Sequence, residues 1–136
     1  MSKCEKNCSL CPYVREAKSI SVNRNTTWNI TKNLNCQSSN IVYLIECSKD
    51  QCRKRYIGET GRTLQSRIAD HRGYIVNGHT NTATGQHFNT PGHSVSNLKV
   101  TIIEQVKTNN ESYRKIREKY HINKFNTYYE GLNQQL

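Results

Sequence analysis

"IVYLIECSKDQCRKRYIGETGRTLQSRIADH", residues 41–71, decides how the chain folds. Ile41-Val42-Tyr43-Leu44-Ile45 is a continuous β-branched and aromatic run, the pattern of a strand buried on both faces. A short polar loop bounded by Cys47 and Cys52 follows, and Arg55-Tyr56-Ile57-Gly58 reads as a second strand close enough to pair as a hairpin. Thr63 is placed to cap a helix that starts at Leu64 and ends near Asn77-Gly78. Leu64, Ile68 and Ile75 form the core-facing stripe of that helix; Arg67, His71 and Tyr74 run along its edge. Strand pair and helix together therefore gather two tyrosines, a guanidinium and an imidazole.

Outward from this stretch the signals thin. Residues 76–97 are rich in Asn, Gly, Thr and His, and so long a loop in a compact domain needs a reason. Leu98-Lys99-Val100-Thr101-Ile102 alternates and predicts a third strand with one face more exposed. Residues 111–125 predict a helix with two apolar stripes, Tyr113, Ile116 and Tyr120 on one, Ile122 and Phe125 with Glu118 on the other. Glu118 is thus aligned with apolar residues. Residues 1–36 are polar, with Trp28 and Ile30 as the sizeable apolar cues near Cys36, and carry four of the six cysteines. They read as a flexible arm or a metal-clamped knuckle ahead of a domain over 37–136. The expected fold class is α/β, a small, mainly antiparallel three-stranded sheet flanked by helices.

The chain has 136 residues and a net charge of +10, with 34% hydrophobic residues. So thin a core favours a structural metal or disulfides as support. The charge suits a polyanionic partner. No apolar run approaches the roughly 18 residues of a membrane span, and the charged, cysteine-rich N-terminus has no apolar leader segment. The expectation is an intracellular protein with reduced cysteines.

The order of strand with Tyr43, Tyr56-Ile57-Gly58, helix with Arg67 and His71, strand, helix with Glu118, and Gly131-Leu132-Asn133 resembles the GIY-YIG nuclease family. The first signature stands as Ile41-Val42-Tyr43, without the family's glycine, and the segment Gly58-Glu59-Thr60-Gly61-Arg62-Thr63-Leu64 is the most specific part. Cys47, Cys52, His87 and His93 resemble the set inserted into this fold in Penelope-like retroelements, and Cys4, Cys8, Cys11 and Cys36 resemble the segment that precedes it there.

The resemblance implies a DNA endonuclease that holds Mg²⁺ or Mn²⁺ on Glu118, with Arg67 on the phosphate oxygens, Tyr43 and Tyr56 orienting water and phosphate, and Asn133 closing the motif set. It implies Tyr43 as general base. His71, with an ordinary pKa nearer neutrality, is the rival. Cys47, Cys52, His87 and His93 make a closed four-ligand set suited to structural Zn²⁺, with His79 a less well spaced substitute; Cys4, Cys8, Cys11 and Cys36 suit a second zinc. Arg53, Lys54, Arg55, Arg62, Arg72, Lys115, Arg117 and Lys119 are the expected contacts to DNA phosphates. By the same resemblance the enzyme nicks DNA in the nucleus and frees a 3′-hydroxyl for a reverse transcriptase, for which this chain is too short. A zinc-stapled DNA-binding module without activity and a stand-alone repair nuclease are the other readings.

Overall fold

A computed structural model describes residues 1–107 and 109–136. In chain order the regular elements are β1 (Ser19–Ser21), β2 (Thr27–Asn29), β3 (Ile41–Cys47), β4 (Arg55–Thr60), α1 (Leu64–Val76), α2 (Ala83–Phe88), β5 (Leu98–Gln105) and α3 (Glu111–Phe125), with short 3₁₀ turns at Cys11–Tyr13 and Val95–Asn97. β3 is the middle strand of an antiparallel sheet ordered β4-β3-β5, and β1 and β2 pair as a separate antiparallel hairpin.

The unbroken apolar run of β3 is explained by cover on both sides. Successive strand side chains point to opposite faces. Ile41, Tyr43 and Ile45 share a cluster with Leu64, Ile68 and Ile75 of α1, Phe88 of α2, and Leu98, Val100 and Ile102 of β5. Val42 and Leu44 meet Ile57, Ile103, and Ile122 and Phe125 of α3 on the other face. β5 slips register against β3 between Val42 and Tyr43. Past that irregularity Glu104 faces α3, accepting two bonds from Arg117 (2.7 and 2.8 Å) and lying 2.9 Å from His121 Nε2.

Residues 1–36 pack against the rest of the domain. Met1, Leu10, Cys11, Val14, Leu34 and Cys36 are buried in the same cluster as α1, and Ile20 and Val22 join the α3 face. Val14 bridges Val100 in parallel, and Arg15 N donates to Val100 O (3.0 Å), so this segment lies along the outer edge of β5. Trp28 donates its indole N–H to Ile103 O at 2.7 Å. The free edge of β4 is covered too: Leu132 N donates to Arg55 O (2.8 Å), and Asn133 bonds both backbone groups of Ile57 (2.8 and 2.9 Å). Both sheet edges are thereby paired rather than left open to another chain.

Two expectations change. The long 76–97 segment is structured, because Thr82 caps a short helix, α2, by accepting from Gly85 N. The stripe of Tyr113, Ile116 and Tyr120 is exposed, at 45%, 62% and 43%. α3 is turned instead by Arg114, which is buried and donates to Glu59 (2.9 Å), Asn40 (2.9 Å) and Asn109 (2.8 Å). A long side chain that finds this many acceptors can be buried at little cost, and it drags the face beside it inward.

Candidate active site and two cysteine-rich clusters

Four elements build one cleft of about 530 Å³. Tyr56 of β4, Arg67, His71 and Tyr74 of α1, Thr84 of α2, and Lys115, Glu118 and Lys119 of α3 line it, with Asn133 at its edge. α1 is fixed at its start by Thr63, whose side chain accepts from Ser66 N, and α3 by Asn110, which accepts from Tyr113 N. Arg67 and His71 stand one turn apart on the inward edge of α1, so both meet the ring of Tyr43 below. Arg67 Nε donates to Tyr43 Oη at 3.2 Å, and His71 Nε2 lies 2.8 Å from the same oxygen.

Tyr43 is 0% exposed and His71 3%. Burial pushes the Tyr43 hydroxyl well above the ordinary phenol range, with the neighbouring Tyr56 adding to the rise. Burial, and then the charge of Arg67, pulls His71 down to about 3. A phenol sealed from solvent and an imidazole held neutral are both poor water-activating bases as they stand. Tyr56 and Tyr74, both half-buried, line the cleft, and burial raises the Tyr56 phenol as well. Tyr43, His71 and Arg67 form one hydrogen-bonded group at the floor of the cleft.

Gly58 explains how Tyr43 fits. It pairs with Tyr43 across β3 and β4, and a methyl group on it would overlap the phenol ring. Gly58→Ala forces that ring off the Arg67–His71 pair. The expected result is a loss of about 1–3 kcal/mol of stability, the usual cost of overpacking. Chemical denaturation of the two proteins side by side checks this.

Glu118 is half-buried, and among the described residues no lysine, arginine or histidine nitrogen lies within ion-pair distance of its carboxylate. Burial raises its pKa, the carboxylate of Glu59 raises it further, and Lys115 offsets part of the rise. An unpaired, desolvated carboxylate facing a polar cleft suits a hard divalent cation that keeps most of its own waters. Asn133, at the edge of the cleft, binds both backbone groups of Ile57 through its amide, which latches it to β4.

Lys115 and Lys119 line the cleft, Lys115 with its Nζ 3.6 Å from Glu59 and 4.0 Å from Glu111. Arg62 is paired with Asp70, Arg55 with Glu46 (3.1 Å), and Arg117 with Glu104 (2.7 Å). Arg72 stacks on Tyr13, 4.7 Å from its ring centre, on the side of α1 facing the N-terminal segment. Arg53 and Lys54 sit at the β3–β4 turn, where Lys54 Nζ donates to Glu130 O (3.3 Å). Arg55, Arg62, Arg72 and Arg117, expected as phosphate contacts, each have a partner within the fold. Their acids and ring are neighbours in space that lie up to 59 residues away in sequence, Tyr13 to Arg72.

The six cysteines fall into two four-residue groups whose ligand atoms lie within 4.8 Å of one another: Cys4, Cys8, Cys11 and Cys36, and Cys47, Cys52, His87 and His93. In the first, Cys11 Sγ is 3.6, 3.7 and 3.9 Å from the sulfurs of Cys4, Cys8 and Cys36. A tetrahedral metal with sulfur at about 2.3 Å requires sulfurs roughly 3.8 Å apart. Burial raises the pKa of Cys11 and of Cys36, so these thiols resist ionising without a cation among them. In the second group Cys52 Sγ is 3.4 Å from His87 Nε2, and His93 Nε2 is buried without any hydrogen-bond partner. His93 Nδ1 is held by Thr90 Oγ1 at 3.0 Å, which aims Nε2 at the cluster. Gln51 and Arg53, on either side of Cys52, take left-handed backbone at φ 67° and 54°. Two such residues in one turn are costly unless something fixes the turn. His79 lies outside both groups.

No curated protein and no solved structure matches the chain. A family model, that of the GIY-YIG catalytic domain, does match, over residues 39–133. Its span begins just ahead of β3 and ends at Asn133, taking in the sheet, all three helices and every group named around the cleft. The chain therefore belongs to the GIY-YIG catalytic domain family, whose members are nucleases that hydrolyse phosphodiester bonds.

Proposed function

We propose that this domain is a Mg²⁺-dependent endonuclease that nicks DNA, with Mn²⁺ as an alternative metal, and that it serves a Penelope-like retroelement. The observation that carries the nuclease reading is the cleft itself, where Tyr56, Arg67 and Glu118 face one space with Lys115 and Lys119 on its rim. Glu118 would hold the cation, which supplies charge for the phosphate and a more acidic water. Arg67 is anchored through Nε to Tyr43 and through Nη1 to Asp70 (3.3 Å), so its remaining N–H groups are pre-aimed at a non-bridging phosphate oxygen. Tyr56 orients the attacking water. Lys115 and Lys119 take the flanking phosphates and add affinity with little base preference.

The two sulfur-rich groups support structural zinc, each closed by four protein ligands. The Cys47, Cys52, His87 and His93 group favours the retroelement branch over a repair nuclease, since it ties the hairpin tip to the segment between α1 and β5. On this reading the product carries a 3′-hydroxyl that primes a reverse transcriptase, and the protein works on nuclear DNA. Among the described residues no helix is long and apolar enough to cross a membrane. The test is extension of the nicked product by a DNA polymerase without prior end treatment. Incorporation of labelled nucleotide at the nick supports priming; a nick that is extended only after phosphatase treatment refutes it.

A further inference from the structure

We propose that Thr84 is a positioning residue of the nuclease centre: it accepts the Nδ1 proton of His71, fixes Nε2 as the acceptor for the Tyr43 hydroxyl, and so holds Arg67 for phosphate. The inference rests on the nuclease reading of the cleft and adds a residue to it from outside the signature strands and helices.

Donor counting from Arg67 inward orders the bonds. Tyr43 Oη has Arg67 Nε as a donor at 3.2 Å and His71 Nε2 at 2.8 Å. A guanidinium only donates. Tyr43 is fully buried, so its own hydrogen needs an acceptor, and His71 Nε2 is the one within reach. With Tyr43 as the donor that nitrogen is bare, and the ring proton sits on Nδ1. Nδ1 lies 2.8 Å from Thr84 Oγ1, and Thr84 is 1% exposed. The chain runs from Arg67 to Tyr43, from Tyr43 to His71, and from His71 to Thr84. Without Thr84 the Nδ1 proton is buried and unpaired, the other tautomer becomes competitive, and Nε2–H would then point at a phenol that already accepts from Arg67. The Tyr43 hydrogen would then be buried without an acceptor, and the phenol that anchors Arg67 would lose its fixed orientation.

The helix that carries Thr84 also carries a ligand-type residue. His87 stands one turn along α2 and belongs to the Cys47, Cys52 and His93 group. α2 is only 6 residues long, too short to hold its own position, and its Thr84, Gly85 and Phe88 are buried against the core. The cysteine-histidine insertion is therefore attached to the reacting cleft through one short helix with Thr84 on its inner face.

The experiment uses the full chain loaded with zinc, and reads the His71 ring nitrogens by ¹⁵N–¹H correlation, assigned by their loss in His71→Asn. The expected result is one tautomer, protonated at Nδ1, in the wild type. In Thr84→Val that tautomer is lost or mixed, and single-turnover cleavage falls by about 10²-fold, the order of a misplaced substrate-positioning group. Zinc content and DNA affinity stay at the wild-type level, and Thr84→Ser restores both tautomer and rate. A wild-type ring protonated at Nε2, or a Thr84→Val protein that cleaves at the wild-type rate, overturns the proposal. A wild type that never cleaves refutes the nuclease reading, while the tautomer spectrum still decides the hydrogen-bond chain. If Thr84→Val does not fold, Thr84→Ala and the wild-type spectrum carry the test.

Discussion

Glu118→Gln lowers DNA cleavage by about 10³-fold or more and leaves DNA binding and the fold in place. A carboxylate that holds a catalytic cation contributes several kcal/mol to the transition state, and each 1.36 kcal/mol is a factor of ten in rate. The stability half of the prediction follows from the direction of the Glu118 shift. Its pKa is raised above 4.5 by burial and by Glu59. A raised carboxylate contributes stability below its unfolded pKa and loses that contribution as pH climbs through the folded value. At neutral pH the charged side chain is therefore a burden on the fold, and the neutral amide relieves it. Without added divalent metal, Glu118→Gln melts at or above the wild-type temperature at pH 7, and the gap narrows toward pH 4. A variant that loses activity because it unfolds would show the opposite, so thermal melts at the two pH values, beside single-turnover rates, separate the cases.

Cys11→Ser is expected to have the largest effect on stability of any single substitution in the chain. Cys11 is 2% exposed and its sulfur lies within 3.9 Å of those of Cys4, Cys8 and Cys36. Structural zinc sites hold apparent binding free energies of about 10–16 kcal/mol, as large as the whole stability of a typical domain at about 5–15 kcal/mol. The segment tied down by this group also supplies Met1, Leu10, Val14 and Leu34 to the main core. Loss of the metal thus opens the core face that carries α1, and with it the cleft. Metal analysis and circular dichroism should find one zinc fewer and a protein largely unfolded at 37 °C. A Cys11→Ser protein that melts within a few degrees of wild type would mean that packing, not metal, holds the N-terminal segment. Cys52→Ser should be milder, because Cys52 lies partly exposed at the hairpin turn and its loss frees α2 without opening the core.

What could be read in the sequence tracks how local each signal is. The β3 run, the Thr63 cap and the α1 stripe are set by neighbours within one or two turns, and they appear where the pattern puts them. Both four-residue ligand groups were legible as well, since cysteine and histidine are few and their spacing is informative. The β1–β2 hairpin was not. Its strands have 3 residues each, and it is held by Trp28 reaching Ile103 O across 75 positions. The helix α2 was hidden by a sequence of small and polar residues, ATGQHF, that has no periodicity to find. Periodicity found two stripes on α3 but could not say which one the core would take. Arg114, bound to Glu59 on β4, decides that, and nothing local to α3 announces it. The fate of the arginines was illegible for the same reason, as charge alone does not show which carboxylate folds against it. Thr84 lies in the least patterned stretch of the chain, and only the tertiary approach of α2 to α1 gives it a role.

The central claim is that the cleft between α1 and α3 cleaves DNA, and relaxation of supercoiled plasmid by the purified, zinc-loaded protein tests it most directly. With Mg²⁺ or Mn²⁺ the account predicts open circles that accumulate with time and are absent when the divalent ion is withheld. Plasmid that is bound, as seen by a shift in mobility, yet stays supercoiled across metals and salt concentrations would contradict the claim and leave a zinc-stapled DNA-binding module.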